Sequence, residues 1–229
     1  MILAPLVSAL VGKFLFRKKP GDNFDYLSSL NCSVISYDYS RAMFDQVNTS
    51  ILSFGSFSEE QLSVVTARFK IIQVPKDETL IREGQVCRSF YFVNRGSFRH
   101  YTIEDSGIES ILNLFVKNEW LFEYKSFIGQ RPSTAFIQAN EESEVFALSA
   151  NDFHELIKIS DLFFTLGKIF EQAIQNQEYQ HNRLSPEEKY ELLLSSKPAL
   201  LQTFSLKHIA SYLGMTPETL SRVRKKISS

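Results

Sequence analysis

Cysteine is nearly absent from this chain: its 229 residues hold two, Cys32 and Cys87. Two thiols cannot build a disulfide framework or a four-thiolate iron–sulfur or zinc site, and unpaired thiols suit a reducing, cytoplasmic compartment. No apolar run reaches the roughly 18–20 residues that a membrane-spanning helix needs. Low-complexity tracts and internal repeats are missing as well. Charge of one sign is also lacking. The net charge is −1, so affinity for nucleic acid has to come from a local patch rather than from the overall field. His100, His154, His181 and His208 form no recognisable set of haem or metal ligands. With no nucleophile–base pair, no metal-ligand spacing and no glycine loop to cradle a phosphate, no enzyme activity and no metal or certain cofactor are expected.

What is present is apolar and patterned. At 44 % apolar residues, the chain can bury one or two cores. Residues 1–16 are apolar apart from Lys13, and the basic cluster Arg17-Lys18-Lys19 follows them. A secretory signal has the reverse order, charges first. Residues 1–42 are therefore read as an N-terminal extension of unknown role. A disordered arm, a helix packed on the body and a surface-lying membrane helix all stay open for it.

From about residue 69 to 148 the periodicity is that of strands. Phe90-Tyr-Phe-Val93 is followed by Phe98, Tyr101 and Ile103, then Ser110-Ile-Leu-Asn-Leu-Phe115 and Glu144-Val-Phe-Ala-Leu148. Turn signals at Pro75-Lys-Asp-Glu78, Glu83-Gly84, Asn94-Arg-Gly96, Asp105-Ser-Gly107 and Gly129-Gln-Arg-Pro132 separate them. Short strands at such spacing predict an antiparallel sandwich or barrel. After Asn151 the period becomes helical. Phe153, Leu156 and Ile157 form a short amphipathic turn, and a longer helix is predicted over 161–180 from Leu162, Phe163, Leu166, Ile169, Phe170, Ala173 and Ile174. Ser185-Pro-Glu-Glu188 then caps a helix over 187–195, with acids where the helix dipole favours them.

The C-terminal stretch is the most informative. Ser205 is an N-cap for a helix over 206–213, in which Ile209 and Leu213 face inward and Ala210 permits close approach. Gly214 can take positive φ and so ends that helix. Thr216 caps a second helix with Pro217 at its first position. Met215, Leu220 and Val223 form the inward stripe of that helix, leaving Glu218, Thr219, Ser221, Arg222, Lys225 and Lys226 outward. From residue 205 onward, Lys207, Arg222, Arg224, Lys225 and Lys226 face one acid, Glu218. This is the physical recipe of a helix-turn-helix that lays its second helix in the DNA major groove. A plain helical hairpin with a solvated basic tail is the bland alternative.

A β-roll, a long helix and a terminal helix-turn-helix together resemble the Crp/Fnr family of bacterial transcription regulators over roughly residues 50–228. The resemblance is carried by Pro75-Lys-Asp-Glu-Thr-Leu-Ile-Arg-Glu-Gly84, Phe90-Tyr-Phe-Val-Asn-Arg-Gly96 and Ile209-Ala-Ser-Tyr-Leu-Gly-Met-Thr-Pro-Glu-Thr-Leu-Ser-Arg222. The last segment is similar to a subgroup common in the Bacteroidetes. The resemblance implies an α+β chain: a jelly-roll-like antiparallel sensor domain over 43–160, a dimerisation helix over 161–183 and an all-α DNA-binding domain over 184–229. It further implies a homodimer on double-stranded DNA, with RNA polymerase as a further partner. Glu218 and Arg222 match positions that read base edges. Thr216, Thr219, Ser221, Arg224, Lys225 and Lys226 match phosphate contacts, and Pro217 replaces a contacting polar residue. Three residues come after Lys226, so the β-wing of many relatives is not expected. The alternative is an effector-binding module whose terminal helices meet a protein. His208, in the first helix of the pair, reads as a DNA-backbone contact or a solvated side chain.

The effector is the open question. Cyclic-nucleotide binders of this fold carry Phe-Gly-Glu for the ribose and Arg-Ser for the phosphate. Here Glu123 matches the ribose carboxylate but Phe122 replaces the glycine, with Tyr124 next in the chain. Ser133 falls at the phosphate arginine and Thr134 at its serine, while Arg131 lies two residues out of register. A bidentate arginine–phosphate pair involves two bonds of about 1.5–3 kcal/mol each. Its loss reduces affinity on the order of a hundredfold or more. The expectation is a degenerate pocket around Phe122, Glu123, Tyr124, Arg131, Ser133 and Thr134 that disfavours cyclic nucleotides, with a different small-molecule effector or none.

Overall fold

A computed structural model of the chain describes residues 43–170 and 184–227. The extension 1–42 and residues 171–183 of the expected dimerisation helix lie outside the described residues. The chain divides into two compact units, Met1–Asn48 and Thr49–Ser229. Residues 43–48 of the first are helical. The second contains the strands and the C-terminal helices.

Helix α1 (Glu59–Thr66) opens with a capping box in which Ser58 and Gln61 satisfy each other's backbone N–H groups. Eight strands come next: β1 (Lys70–Val74), β2 (Thr79–Ile81), β3 (Ser89–Arg95), β4 (Phe98–Ile103), β5 (Glu109–Phe115), β6 (Trp120–Leu121), β7 (Phe136–Ala139) and β8 (Ser143–Ser149). They make two antiparallel four-stranded sheets, ordered β1-β8-β3-β6 and β2-β7-β4-β5. Helix α2 (Tyr124–Gly129) interrupts the strands between β6 and β7. The order is the expected roll. Sequence patterning finds β3, β4, β5 and β8, whereas β2, β6 and β7 have two to four residues each, too short to display an alternation.

The core of the first sheet is aromatic. Phe92 pairs with Phe146 in register, and their rings stack at 6.4 Å; Trp120 meets Phe92 edge-on at 5.1 Å. Such pairs add about 0.5–1.5 kcal/mol beyond area burial. Each expected turn contains a left-handed residue: Asp77, Gly84, Gly96, Gly107 and Gln130. Asn118 marks a further turn, between β5 and β6. Gly96, at φ 89°, also has no room for a side chain, because an added Cβ would lie 2.8 Å from the Cα of Ser143.

Helix α3 (Ala150–Ile159) buries Phe153 and Leu156. The next segment departs from the helix expected to start at residue 161. Asp161–Gly167 is a 3₁₀ helix capped by Ser160, and α-helical geometry starts at residue 168, three residues before the described stretch ends. The burial pattern gives the reason. Phe163, Leu166 and Ile169 are buried at intervals of three, the period of a 3₁₀ helix. Four helices end the described chain: α4 (Pro186–Ser196), α5 (Pro198–Thr203), α6 (Leu206–Tyr212) and α7 (Pro217–Ile227). Helix α5 was not expected from the sequence; its single fully buried residue, Leu200, gives no periodicity to read.

Gly96→Ala is expected to lower stability by about 1–3 kcal/mol through strain at positive φ, with the Ser143 contact adding to it. Thermal unfolding of the two proteins measures this as a midpoint lower by several degrees.

Candidate nucleic-acid interface and effector pocket

The helix pair α6–α7 is built as its sequence dictates. The Ser205 hydroxyl accepts from the His208 N–H at 3.2 Å and caps α6. Leu213 ends α6, and Gly214 takes φ 68°. The Thr216 hydroxyl accepts from the Thr219 N–H at 3.2 Å and so caps α7, with Pro217 in its first turn. Leu220 and Val223 are buried in one apolar cluster with Tyr190, Leu193, Leu200, Phe204, Ile209, Ala210, Tyr212 and Leu213. The opposite stripe of α7 is exposed: Glu218, Ser221, Arg222 and Lys225 succeed each other at helical spacing. Arg224 and Lys226 are exposed in the last turn, and Thr216 is exposed at the cap. Pro217 and Thr219 are half-buried.

Several of these side chains already have partners. The Thr219 hydroxyl lies 3.2 Å from that of Thr216. Lys226 Nζ donates to Glu187 Oε1 at 3.2 Å, tying the end of α7 to the start of α4. Backbone N–H groups at the start of α7, the Thr216 hydroxyl and the charge of Arg222 hold the Glu218 carboxyl below the usual carboxylate range. Glu218 is thus an anion beside Arg222, one turn away.

The helical head, α4 to α7, is not free of the roll. Tyr101, Ile111 and Leu114, from β4 and β5, belong to the same apolar cluster as the head. The Ile111 N–H donates to the Ser211 hydroxyl at 2.9 Å. Lys197 pairs with Glu119 at 2.8 Å. His208 is half-buried, rather than solvated, and its Nδ1 has no hydrogen-bond partner. These contacts escaped sequence reasoning because they join segments about a hundred residues apart.

The effector-pocket candidates gather around α2. Phe122 is buried, its ring 5.5 Å from those of Phe127 and Phe170 and 6.2 Å from that of Tyr124. Glu123 is also buried, and its carboxylate accepts from the Ser126 N–H at 2.5 Å, capping α2. Ser133 is buried against its own loop: its hydroxyl donates to the Ala135 carbonyl at 2.8 Å and accepts from the Ala135 N–H at 3.0 Å. Tyr124 is half-buried, while Arg131 and Thr134 are exposed. Arg131 folds back across Gly129, its Nε 2.7 Å from where a Cβ there would sit. Ser126 stitches the region together, accepting from the Cys87 N–H at 2.8 Å and donating to the Arg131 carbonyl at 2.6 Å. Burial pushes the Cys87 thiol up to about 11, so it is not a ready nucleophile. Inside the roll His100 is buried opposite Asn113, and burial together with the Lys125 charge pushes its imidazole down to about 4.

Comparison with known proteins places this architecture. Residues 71–160 match the family model of the cyclic nucleotide-binding domain. The fumarate and nitrate reduction regulatory protein of Vibrio cholerae is 29 % identical over 189 residues, covering 72 % of this chain and 70 % of that one. The cAMP-activated global transcriptional regulator CRP of Salmonella typhimurium is 24 % identical over 106 residues, covering 46 % of this chain and 50 % of its own length. Two solved structures superpose at 18 % identity: FixK2 from Bradyrhizobium japonicum, with a TM-score of 0.56 over 70 % of this chain and 84 % of that one, and CLP from Xanthomonas campestris, with 0.55 over 75 % and 92 %. The chain has the fold of the Crp/Fnr regulators.

The Glu123 carboxylate and the Ser133 hydroxyl are both engaged in local structure. Among the described residues no helix is long and apolar enough to cross a membrane. Glu123→Ala is expected to cost about 1 kcal/mol or more, because it removes the cap of α2. Urea unfolding should show a lower midpoint with an unchanged slope.

Proposed function

We propose that this chain is a DNA-binding transcription regulator that acts as a homodimer and reads DNA with α7. One observation carries the reading. The exposed stripe of Glu218, Ser221, Arg222 and Lys225 stands opposite the buried Leu220 and Val223, on a helix entered through the Gly214 turn. That arrangement fixes one face of α7 and frees the other for a groove. In this role Arg222 binds guanine O6 and N7, the commonest specific contact, and Glu218 orients it or accepts from a cytosine amine. Thr216, Thr219, Ser221, Arg224, Lys225 and Lys226 meet phosphates, while Pro217 presets the start of the helix. Lys226 exchanges Glu187 for a phosphate.

The names of the similar proteins, fumarate and nitrate reduction regulatory protein and cAMP-activated global transcriptional regulator, support the regulatory role. The dimer, joined through residues 161–183, and a contact with RNA polymerase rest on the Crp/Fnr resemblance, as does a cytoplasmic location. Residues 209–222 support the Bacteroidetes-type subgroup. Phe122, Glu123 and Ser133, taken up by ring packing, a helix cap and a loop, support a sensor that does not take cyclic AMP or cyclic GMP. Arg131, Tyr124 and Thr134 remain at the rim for another small molecule.

A site selected from random duplexes, then titrated by anisotropy across salt, tests the reading. Binding should weaken steeply with salt as phosphate counterions are released. Arg222→Ala should cost about 1–3 kcal/mol and relax preference at one base pair. An unchanged ratio of specific to nonspecific affinity would remove Arg222 from its role, and no selected site would remove DNA reading. Calorimetry with cyclic AMP and cyclic GMP should give no binding heat.

A further inference from the structure

Between the roll and the head lies a cleft of about 560 Å³. Its roll side is Lys76 and Asp77 from the β1–β2 turn, Arg99 on β4, and Glu109 at the start of β5. Its head side is Lys207 and His208 on α6. Arg99 is the anchored charge of this cleft. Its Nη2 donates to Gln138 Oε1 at 2.5 Å, its guanidinium lies 5.4 Å from the Tyr101 ring centre, and Glu109 and Asp77 stand 3.5 Å and 3.8 Å away. His208 comes to this group from the head. Its ring lies edge-on to Phe204, 6.4 Å between centres, and its Nδ1 is buried without a partner.

A neutral imidazole can leave one nitrogen as an idle acceptor; a protonated one must donate from both. At His208 the second proton would face no acceptor, with Arg99 and Lys207 beside it and Glu109 already shared with Arg99. We propose that His208 is a pH-sensitive latch: neutral, it lets α6 dock on the edge of β5, and protonated, it drives the head off the roll. The two groups that close the interface beside it, Ser211 on the Ile111 N–H and Lys197 on Glu119, hold only while α6 is seated.

The surroundings of the ring set the direction of the switch. Burial, then Arg99 and Lys207, push the His208 imidazole below its ordinary value, with Glu109 opposing them. A depressed value means that docking favours the neutral form. Docking is therefore at full strength above the ordinary histidine value of about 6.5 and weakens as pH falls below it. The inference shares the view of α6–α7 as a reading head, but docking is measured without DNA, so the two can fail separately.

The Ile111 amide reports the latch directly. Hydrogen exchange by NMR on the full chain, corrected for intrinsic rates, should show its protection falling several-fold, and by no more than about tenfold, from pH 7.5 to pH 5.5. The Phe92 amide in β3, which opens only with the whole roll, should stay better protected than Ile111 at both pH values, even though the buried His100 also links global stability to pH. In His208→Gln the Ile111 amide should lose this pH dependence. Unchanged Ile111 protection in the wild type would overturn the proposal, as would equal protection at Ile111 and Phe92, which would mean global opening. A titration midpoint for the wild-type His208 ring at or above the ordinary value, read by NMR, would also overturn it, whatever the behaviour of the variant.

Discussion

The Ile111 N–H points out of the free edge of β5, and the Ser211 hydroxyl of α6 receives it at 2.9 Å. An open sheet edge is a row of unpaired donors and acceptors that another strand can join, and folds cover it with a helix or charge. Here the cover is the head itself. Because α6 sits on β5, Tyr101, Ile111 and Leu114 share their apolar cluster with Ile209, Tyr212, Leu220 and Val223. That shared cluster sets which stripe of α7 is buried and which is presented outward. The rim pair of Lys197 with Glu119 depends on the same seating.

The sensor obeys a different logic. The segment around α2 folds onto itself. Glu123 spends its carboxylate on the first turn of α2, and Ser133 its hydroxyl on Ala135. Phe122 joins Phe90, Phe127, Phe153 and Phe170 in a set of edge-on rings. Phe170, the last described residue before 171–183, is in that set, and its ring packs on Phe127 of α2 at 5.4 Å.

Much of this was legible from the sequence because it depends on neighbours. The caps at Ser185, Ser205 and Thr216, the Gly214 turn and the left-handed turn residues are local choices of hydrogen bond and φ, and they formed where residue type placed them. The strands with five or more residues on an alternating face were largely readable for the same reason. The 3₁₀ start at Asp161–Gly167 was not, because an apolar 3-4 pattern serves an α-helix and a 3₁₀ helix alike until packing selects which residues are buried.

The sequence by itself determined the roll-then-helices order, the capped helix pair with its outward Glu218 and Arg222, and a serine rather than an arginine at position 133. Each is a matter of residue type within a few positions. Only the tertiary structure decided that Glu123 is a buried cap, that α6 closes the edge of β5, and that His208 stands beside Arg99. Those depend on segments far apart in the chain meeting across an interface, where burial changes what a carboxylate or an imidazole can do, and no local pattern records such a meeting.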